Sequence, residues 1–337
     1  MVKLDPQQTI ELAQRVYGVQ DERVKELKWI FQQTQKEIIE QISYFISKKI
    51  NWETTAPKKE RDELMDQLSQ IVNSADDNDQ SLIQTAFKGQ KSKSQGDLLL
   101  ASITLALIDL GLTRKKQLND SVNYIPRVVN ASNYKVAKQI VEQQPKSRPP
   151  SQVRSLPSAN INQVLQKTTK NAVIDRDFLQ QNYATINKQT IQTITQVRDV
   201  AVRAAQSTEP DLKFADEVAN ILTGGSKKTN GQMGRAQGMV RTVTSQVINR
   251  QKRKDYKKRN VKKYKFLSLE AVTTCNDCNS LDGKIFNVDD AQEGVNYPPI
   301  HLNCQCDTQE IIDDKYLSGQ IDVSDELQQL QNELNSD

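Results

Sequence analysis

All four cysteines of this chain and its single histidine lie between Cys275 and Cys306, out of 337 residues. They read Cys275-Asn-Asp-Cys278 and, after 22 intervening residues, His301-Leu-Asn-Cys304-Gln-Cys306. Two thiolates held two residues apart can grip one side of a tetrahedral zinc ion, and the second group can complete it. Two disulfides would have no use for the histidine, and cysteines that only fill a core would not cluster. Zn2+ is therefore the expected cofactor, with Cys275, Cys278, His301, Cys304 and Cys306 as candidate ligands. If residues 303–307 are extended, Cys304 and Cys306 point to one face and both reach the ion, with His301 behind them. If they form a tight turn, His301 and Cys304 are the natural pair. A closed site of this kind contributes on the order of 10 kcal/mol to folding. That is decisive for a short segment with little core of its own.

The same residues argue against catalysis. A deaminase-type zinc site places Glu two residues after the histidine and a Pro-Cys-x-x-Cys beyond it. Here Asn303 stands at that place and the second motif is missing. A His-Glu-x-x-His hydrolase site needs two histidines. The glycine-rich loop ending at Gly234 lacks the order of a phosphate-binding loop. The expectation is a protein that is not an enzyme.

Charge is distributed unevenly. Residues 250–265 carry ten basic residues and one acid, whereas 307–337 carry nine acids and one lysine. The net charge of +4 conceals this. A run so basic repels itself unless anions are near, and a nucleic-acid backbone is its usual partner. Arg250, Lys252, Arg253, Lys254, Lys257, Lys258, Arg259, Lys262 and Lys263 are the candidate phosphate contacts. Binding to double-stranded DNA should be insensitive to sequence and should weaken steeply with salt.

The rest of the chain reads as mostly α. Aromatic residues are only 5% and charged residues 26%, which argues against one large core and for long exposed helices. The expected layout is an elongated helical N-terminal domain over 1–143 and a Pro/Ser-rich linker over 144–161. A helical middle region over 162–234 ends in the Gly-rich loop. A basic, zinc-stabilised α+β module follows over 235–310, then an acidic tail helix over 311–337. Asp5-Pro6 marks a helix start, and Gly18 a break. Val24, Leu27, Phe31, Ile38, Ile42 and Phe45 recur at helical spacing. A second helix is expected from about Pro57 to Val72, with a polar break over 73–79. The apolar run Leu98–Leu112 reads as a buried helix capped by Asp97 and ended by Gly111, about 15 residues against the ~20 of a membrane span. Asp282-Gly283 reads as a two-residue hairpin turn. The opening Met-Val-Lys-Leu-Asp-Pro has no apolar stretch after a basic start. No secretion signal is expected, and the thiols should stay reduced in a cytosolic setting.

One further pattern carries a resemblance. Cys275-x-x-Cys278-x-x-Leu281-Asp282-Gly283-Lys284-Ile285-Phe286, followed by Pro298-Pro299-Ile300-His301-Leu302-Asn303-Cys304-Gln305-Cys306, resembles the signature of Mu F-like head morphogenesis proteins, the minor head proteins of tailed phages. Arg241-Thr242-Val243-Thr244 resembles that family's Arg-Thr-Glu-Thr helix. Val243, Thr273 and Gln305 depart from the family pattern. The resemblance implies a structural virion component in the capsid interior near the portal. Its implied partners are portal, scaffold and capsid proteins, and it would assist head assembly and contact or help deliver packaged DNA. The alternative is a zinc-containing nucleic-acid-binding protein outside the virion.

Overall fold

The computed structural model describes residues 6–89, 93–143, 176–207, 213–225, 231–258, 260–269 and 274–312. Four helices open the chain: α1 (Pro6–Ser47), α2 (Lys58–Ser74), α3 (Asp77–Phe87) and α4 (Gln95–Gln143). Then come α5 (Arg176–Gln206), α6 (Lys213–Leu222) and α7 (Gly231–Lys258). Strand β1 (Lys263–Leu267), helix α8 (Asn276–Leu281), and strands β2 (Ile285–Asn287) and β3 (Asp307–Ile311) complete the order. The linker over 144–161 and the acidic tail helix lie outside the described residues.

Several sequence expectations change here for physical reasons. Helix α1 runs through Gly18 without a break, between buried Ala13, Val16, Tyr17 and Val24. One glycine costs a helix only about 1 kcal/mol, which that burial outweighs. The polar stretch 73–79 contains the start of α3, whose first turn is capped by Asp76: its carboxylate accepts from the Asp79 amide at 2.8 Å. The apolar run 98–112 is the early part of one long helix, α4. Its cap is Ser94 rather than Asp97. The Ser94 hydroxyl accepts from the Asp97 amide at 3.1 Å, and the Asp97 carboxylate accepts from the Ser94 amide at 3.1 Å, a reciprocal capping box. Gly111 does not end this helix. A Cβ there would lie 2.7 Å from Thr190 Oγ1, so the glycine lets α4 and α5 approach closely. The stretch Gln95–Ile125 is, by length and composition, long and apolar enough to cross a membrane, longer than the sequence reading allowed. Ile103, Leu107 and Ile108 within it are fully buried in protein.

Contacts divide the chain into two compact units, each drawn from separate stretches. One comprises Arg23–Leu118 and Asp175–Gln237. Its core packs Phe31, Ile38, Ile42 and Phe45 of α1 against Ile103 and Leu107 of α4, Ile194 and Val197 of α5, and Val218 and Leu222 of α6. Each such side chain contributes about 1.5–3 kcal/mol on burial.

The other unit comprises Met1–Glu22, Asn119–Ile174 and Gly238–Asp337. It holds a three-stranded antiparallel sheet in the order β2-β1-β3, with Tyr264 opposite Phe286 on one side and Glu310 on the other. Tyr264 and Phe266 alternate with Lys263 and Lys265 along β1, and both aromatic rings are buried. Asp282-Gly283 is a turn, but not of a hairpin: residues 279–281 belong to α8. The turn is tied to β1 instead, because Gly283, at φ 72°, donates its amide to the Phe266 carbonyl at 2.9 Å. That bond sets α8, and the first two cysteines, against the central strand.

Candidate metal centre

Cys275 sits at the N-cap of α8, and its sulfur accepts from the Cys278 amide at 3.4 Å. One helical turn thus brings both thiols to the same side. The second ligand group arrives on the loop before β3. There His301 to Cys304 form a tight turn, closed by the Cys304 amide on the His301 carbonyl at 3.2 Å, with Asn303 in the left-handed region at φ 64°. The turn expected of one alternative is present over 301–304, while Cys304 and Cys306 also share a ligand group with Cys278, as the other alternative has it.

Two features outside the motif hold that turn. The Asn303 amide donates to Thr242 Oγ1 of α7 at 3.1 Å. Gly238, one helical turn earlier, leaves room for the Asn303 side chain, which would lie 3.3 Å from a Cβ at that position. Cys306 is fixed through its carbonyl, which accepts from Tyr17 Oη and from Asn249 Nδ2, each at 3.3 Å.

The five candidate side chains meet. Their ligand atoms form two overlapping groups, Cys275–Cys278–His301 and Cys278–Cys304–Cys306, with the atoms of each group within 4.8 Å of one another. His301 Nε2 lies 3.0 Å from Cys275 Sγ and 3.2 Å from Cys278 Sγ, and Cys278 Sγ lies 3.8 Å from Cys304 Sγ. A tetrahedral ion with metal–sulfur bonds of about 2.3 Å separates its sulfurs by about 3.8 Å. The donor set and its spacing therefore fit a metal ion. A hollow of about 60 Å³ opens among these residues. Phe266, Phe286, Leu281 and Ile300 pack around the thiols.

Electrostatics favour ligation. Hydrogen bonds, first from the Cys306 thiol and then from the Cys306 and Ile300 amides, lower the Cys304 pKa to about 5, against the opposing effect of burial. The bond from the Cys278 amide is the main cause lowering Cys275. Burial is the main cause raising Cys278, which a bound cation would reverse. The imidazole of His301 uses Nδ1 on the Leu302 carbonyl at 2.8 Å, the main cause raising its pKa, and turns Nε2 to the thiols. Such a second bond orients a metal-ligating ring.

The basic segment divides in a way its composition hides. Lys254, Lys257, Lys262 and Lys263 are exposed. The Lys258 side chain and Arg259 lie outside the described residues. Arg250 pairs with Glu293 at 3.0 Å, and the Arg253 guanidinium lies 6.0 Å from the Tyr297 ring centroid. Lys252 is not a surface cation. It is only 5% exposed, and its ammonium is held by Asp307 Oδ1 and Oδ2 at 2.5 and 2.6 Å.

Ser245, Asn249, Lys252 and Tyr256 form one buried polar stripe of α7. Their spacing of four, three and four residues is that of a single helix face, and it was available in the sequence. Tyr17, Tyr297 and Thr308, which bond to this stripe, had no such signal.

The helix that supports the site also holds the Arg-Thr-Val-Thr sequence. Arg241 pairs with Asp21 at 3.4 Å, while Val243 and Thr244 are buried. An apolar residue suits the place where the family pattern has glutamate. No curated protein and no solved structure matches the chain. Residues 181–309 match the family model described as phage Mu protein F like protein. This segment includes all of α7, β1, β2, the first residues of β3 and the five-residue cluster, and over it the chain is similar to the phage Mu F-like proteins.

Proposed function

We propose that the protein is a non-enzymatic, structural component of a phage head, whose C-terminal module is folded around one structural Zn2+. Cys275, Cys278, His301 and Cys304 would hold the ion, and Cys306 would donate its thiol proton to the Cys304 sulfur. The observation that carries this reading is the pair of overlapping groups, Cys275–Cys278–His301 and Cys278–Cys304–Cys306, which share Cys278 inside the family-matched segment. A closed set of soft donors without a carboxylate suits a structural ion.

The exposed lysines of α7 and the start of β1 suit contact with a DNA backbone, and Lys252 is withdrawn from that role. The place of action is the capsid interior near the portal, with portal, scaffold or capsid proteins as partners and assembly in the host cytoplasm. Elemental analysis of the purified chain should find one zinc, which Cys278→Ser releases. A folded, metal-free protein with two disulfides would overturn the metal. Mass spectrometry of purified particles should detect the chain, and its absence from them would overturn the head assignment.

A further inference from the structure

A cleft of about 400 Å³ opens within the unit that comprises Arg23–Leu118 and Asp175–Gln237. It shares no lining residue with the metal centre. Its volume falls in the range of ligand pockets, roughly 300–1,000 Å³. Three helices wall it. Gln192 and Gln196, one turn apart, come from α5, and Asn220 and Ile221 from the end of α6. Gly231, Gln232 and Arg235 come from the start of α7. Glycine shapes the wall. Gly231, at φ 49°, lets α7 begin against the end of α6, since a Cβ there would lie 2.6 Å from the Gly224 nitrogen. A Cβ at Gly225 would collide with Oδ1 of Asn220.

Two polar atoms of the lining residues, Asn220 Oδ1 and Gln232 Oε1, are buried without a hydrogen-bond partner among the described residues. Gln232 is only 6% exposed. Buried polar groups in folded proteins are nearly always paired, because each has given up its bonds to water. Both side chains therefore carry hydrogen-bonding capacity that the protein itself does not use.

The lining narrows the chemistry of what would use it. Arg235 is exposed and is the single charged residue of the lining, so a bound ligand is matched by a negative charge. Gly231 opens α7, and the positive end of that helix borders the cleft. A phosphate ion suits both features, but it offers chiefly acceptors and leaves the two carboxamide oxygens unpaired. A nucleotide brings donors, but single bases are held by stacking on aromatic rings, and none lines the cleft. The end of an extended polypeptide meets every requirement. Its carboxylate pairs with the Arg235 guanidinium. Its main-chain N–H groups donate to Asn220 and Gln232, and its carbonyls accept from the carboxamides of Gln192 and Gln196. Ile221 offers an apolar contact to the last side chain.

We propose that this cleft is a receptor for the free carboxyl terminus of another polypeptide, bound extended through its main chain. The terminal charge and the peptide groups are read, and the last side chain is selected for apolar character. This assignment goes beyond the metal centre and does not depend on it.

The test uses the full-length, isotopically labelled protein and two probes, acetyl-Gly-Gly-Leu with a free carboxylate and the same peptide as its amide. The free acid should shift the amide resonances of Gly231 and Gln232 saturably below ~10 mM. The amide should bind roughly tenfold more weakly or worse, because a charge-assisted bond is lost. Arg235→Met changes an exposed side chain, so the fold should persist while the advantage of the acid over the amide disappears. Gln232→Leu should weaken both peptides alike. No saturable shift with the free acid overturns the proposal, as does equal binding of acid and amide, or an acid preference that survives Arg235→Met. Saturation by inorganic phosphate without any response to the peptide overturns it in favour of a simple anion site. The readout involves neither zinc nor DNA, so its failure is distinguishable from failure of those readings.

Discussion

The hydroxyl of Tyr17, on the first helix, donates to the main-chain carbonyl of Cys306 at 3.3 Å across 289 residues of sequence. The same hydroxyl lies 3.4 Å from Ser245 Oγ on α7. The last cysteine of the cluster is therefore positioned by the beginning of the chain, with Asn249 as a second donor. Tyr17→Phe keeps the ring and removes the bond. It should cost about 1 kcal/mol of stability, read as a lower denaturant midpoint with an unchanged slope. An unchanged midpoint would show that Asn249 alone satisfies the carbonyl.

Metal removal should act locally. Chelation is expected to raise amide exchange over 263–267 and 307–311, the strands beside the cluster, while the buried turns of α1 around Phe31 and Ile38 stay protected. Loss of a structural zinc removes on the order of 10 kcal/mol from the fold that needs it. Exchange that is identical with and without chelator would contradict the assignment.

The exposed and buried parts of the basic segment should separate in binding experiments. Replacing Lys254, Lys257, Lys262 and Lys263 by alanine is expected to weaken binding to any duplex alike. It should also reduce the slope of log K against log salt by about 0.9 for each phosphate that is no longer neutralised. Anisotropy titrations over a range of salt would measure both. Equal slopes for the two proteins would remove DNA binding from this surface.

Two glycine substitutions of identical chemistry should have opposite signs. At Gly18 a Cβ meets nothing within 4 Å, so Gly18→Ala should stabilise by up to about 1 kcal/mol through helix propensity. At Gly111 the Cβ would lie 2.7 Å from Thr190 Oγ1, and Gly111→Ala should destabilise by about 1–3 kcal/mol. Thermal unfolding of the two variants gives the comparison directly, and a stabilised Gly111→Ala would refute the close approach of α4 and α5.

Alkaline pH should unfold the sheet-containing unit. Tyr17, Tyr256 and Tyr297 are buried, and burial is the main cause holding each phenol above its ordinary value. Above about pH 10 the unfolded chain loses protons that the folded chain keeps. Stability from these groups is complete below that pH and falls as pH rises beyond it. Denaturant midpoints should drop across this range, and Tyr297→Phe should lessen the drop. A flat profile would mean the phenols ionise while the protein remains folded.

Much of the local structure was legible in the residues. The stripe from Val24 to Phe45 announced a helix with one buried face, because a 3.6-residue period is a property of the backbone alone. The clustering of five side chains able to ligate a metal marked the candidate site for a similar reason: two residues between candidate ligands is a distance that one turn spans. Helix ends were less legible at Gly18 and Gly111. A glycine shows only what the backbone is free to do, and packing on both sides of these positions decided that the helix continues. The basic segment was misleading at Lys252, whose partner Asp307 lies within the acidic stretch that composition set against it.

The amino-acid order by itself determined that the chain is mostly helical, and that its thiols and imidazole fall where two short turns could bring them to one ion. Only the tertiary structure decided that Tyr17, Asn249, Thr242 and Gly238 hold those turns in place, and that one cation of the basic run is turned inward onto a carboxylate. The physical reason is range. Helical periodicity and ligand spacing act over a few residues and are written in neighbouring letters. A hydrogen bond between residues hundreds of positions apart depends on how whole elements pack, which no local pattern encodes.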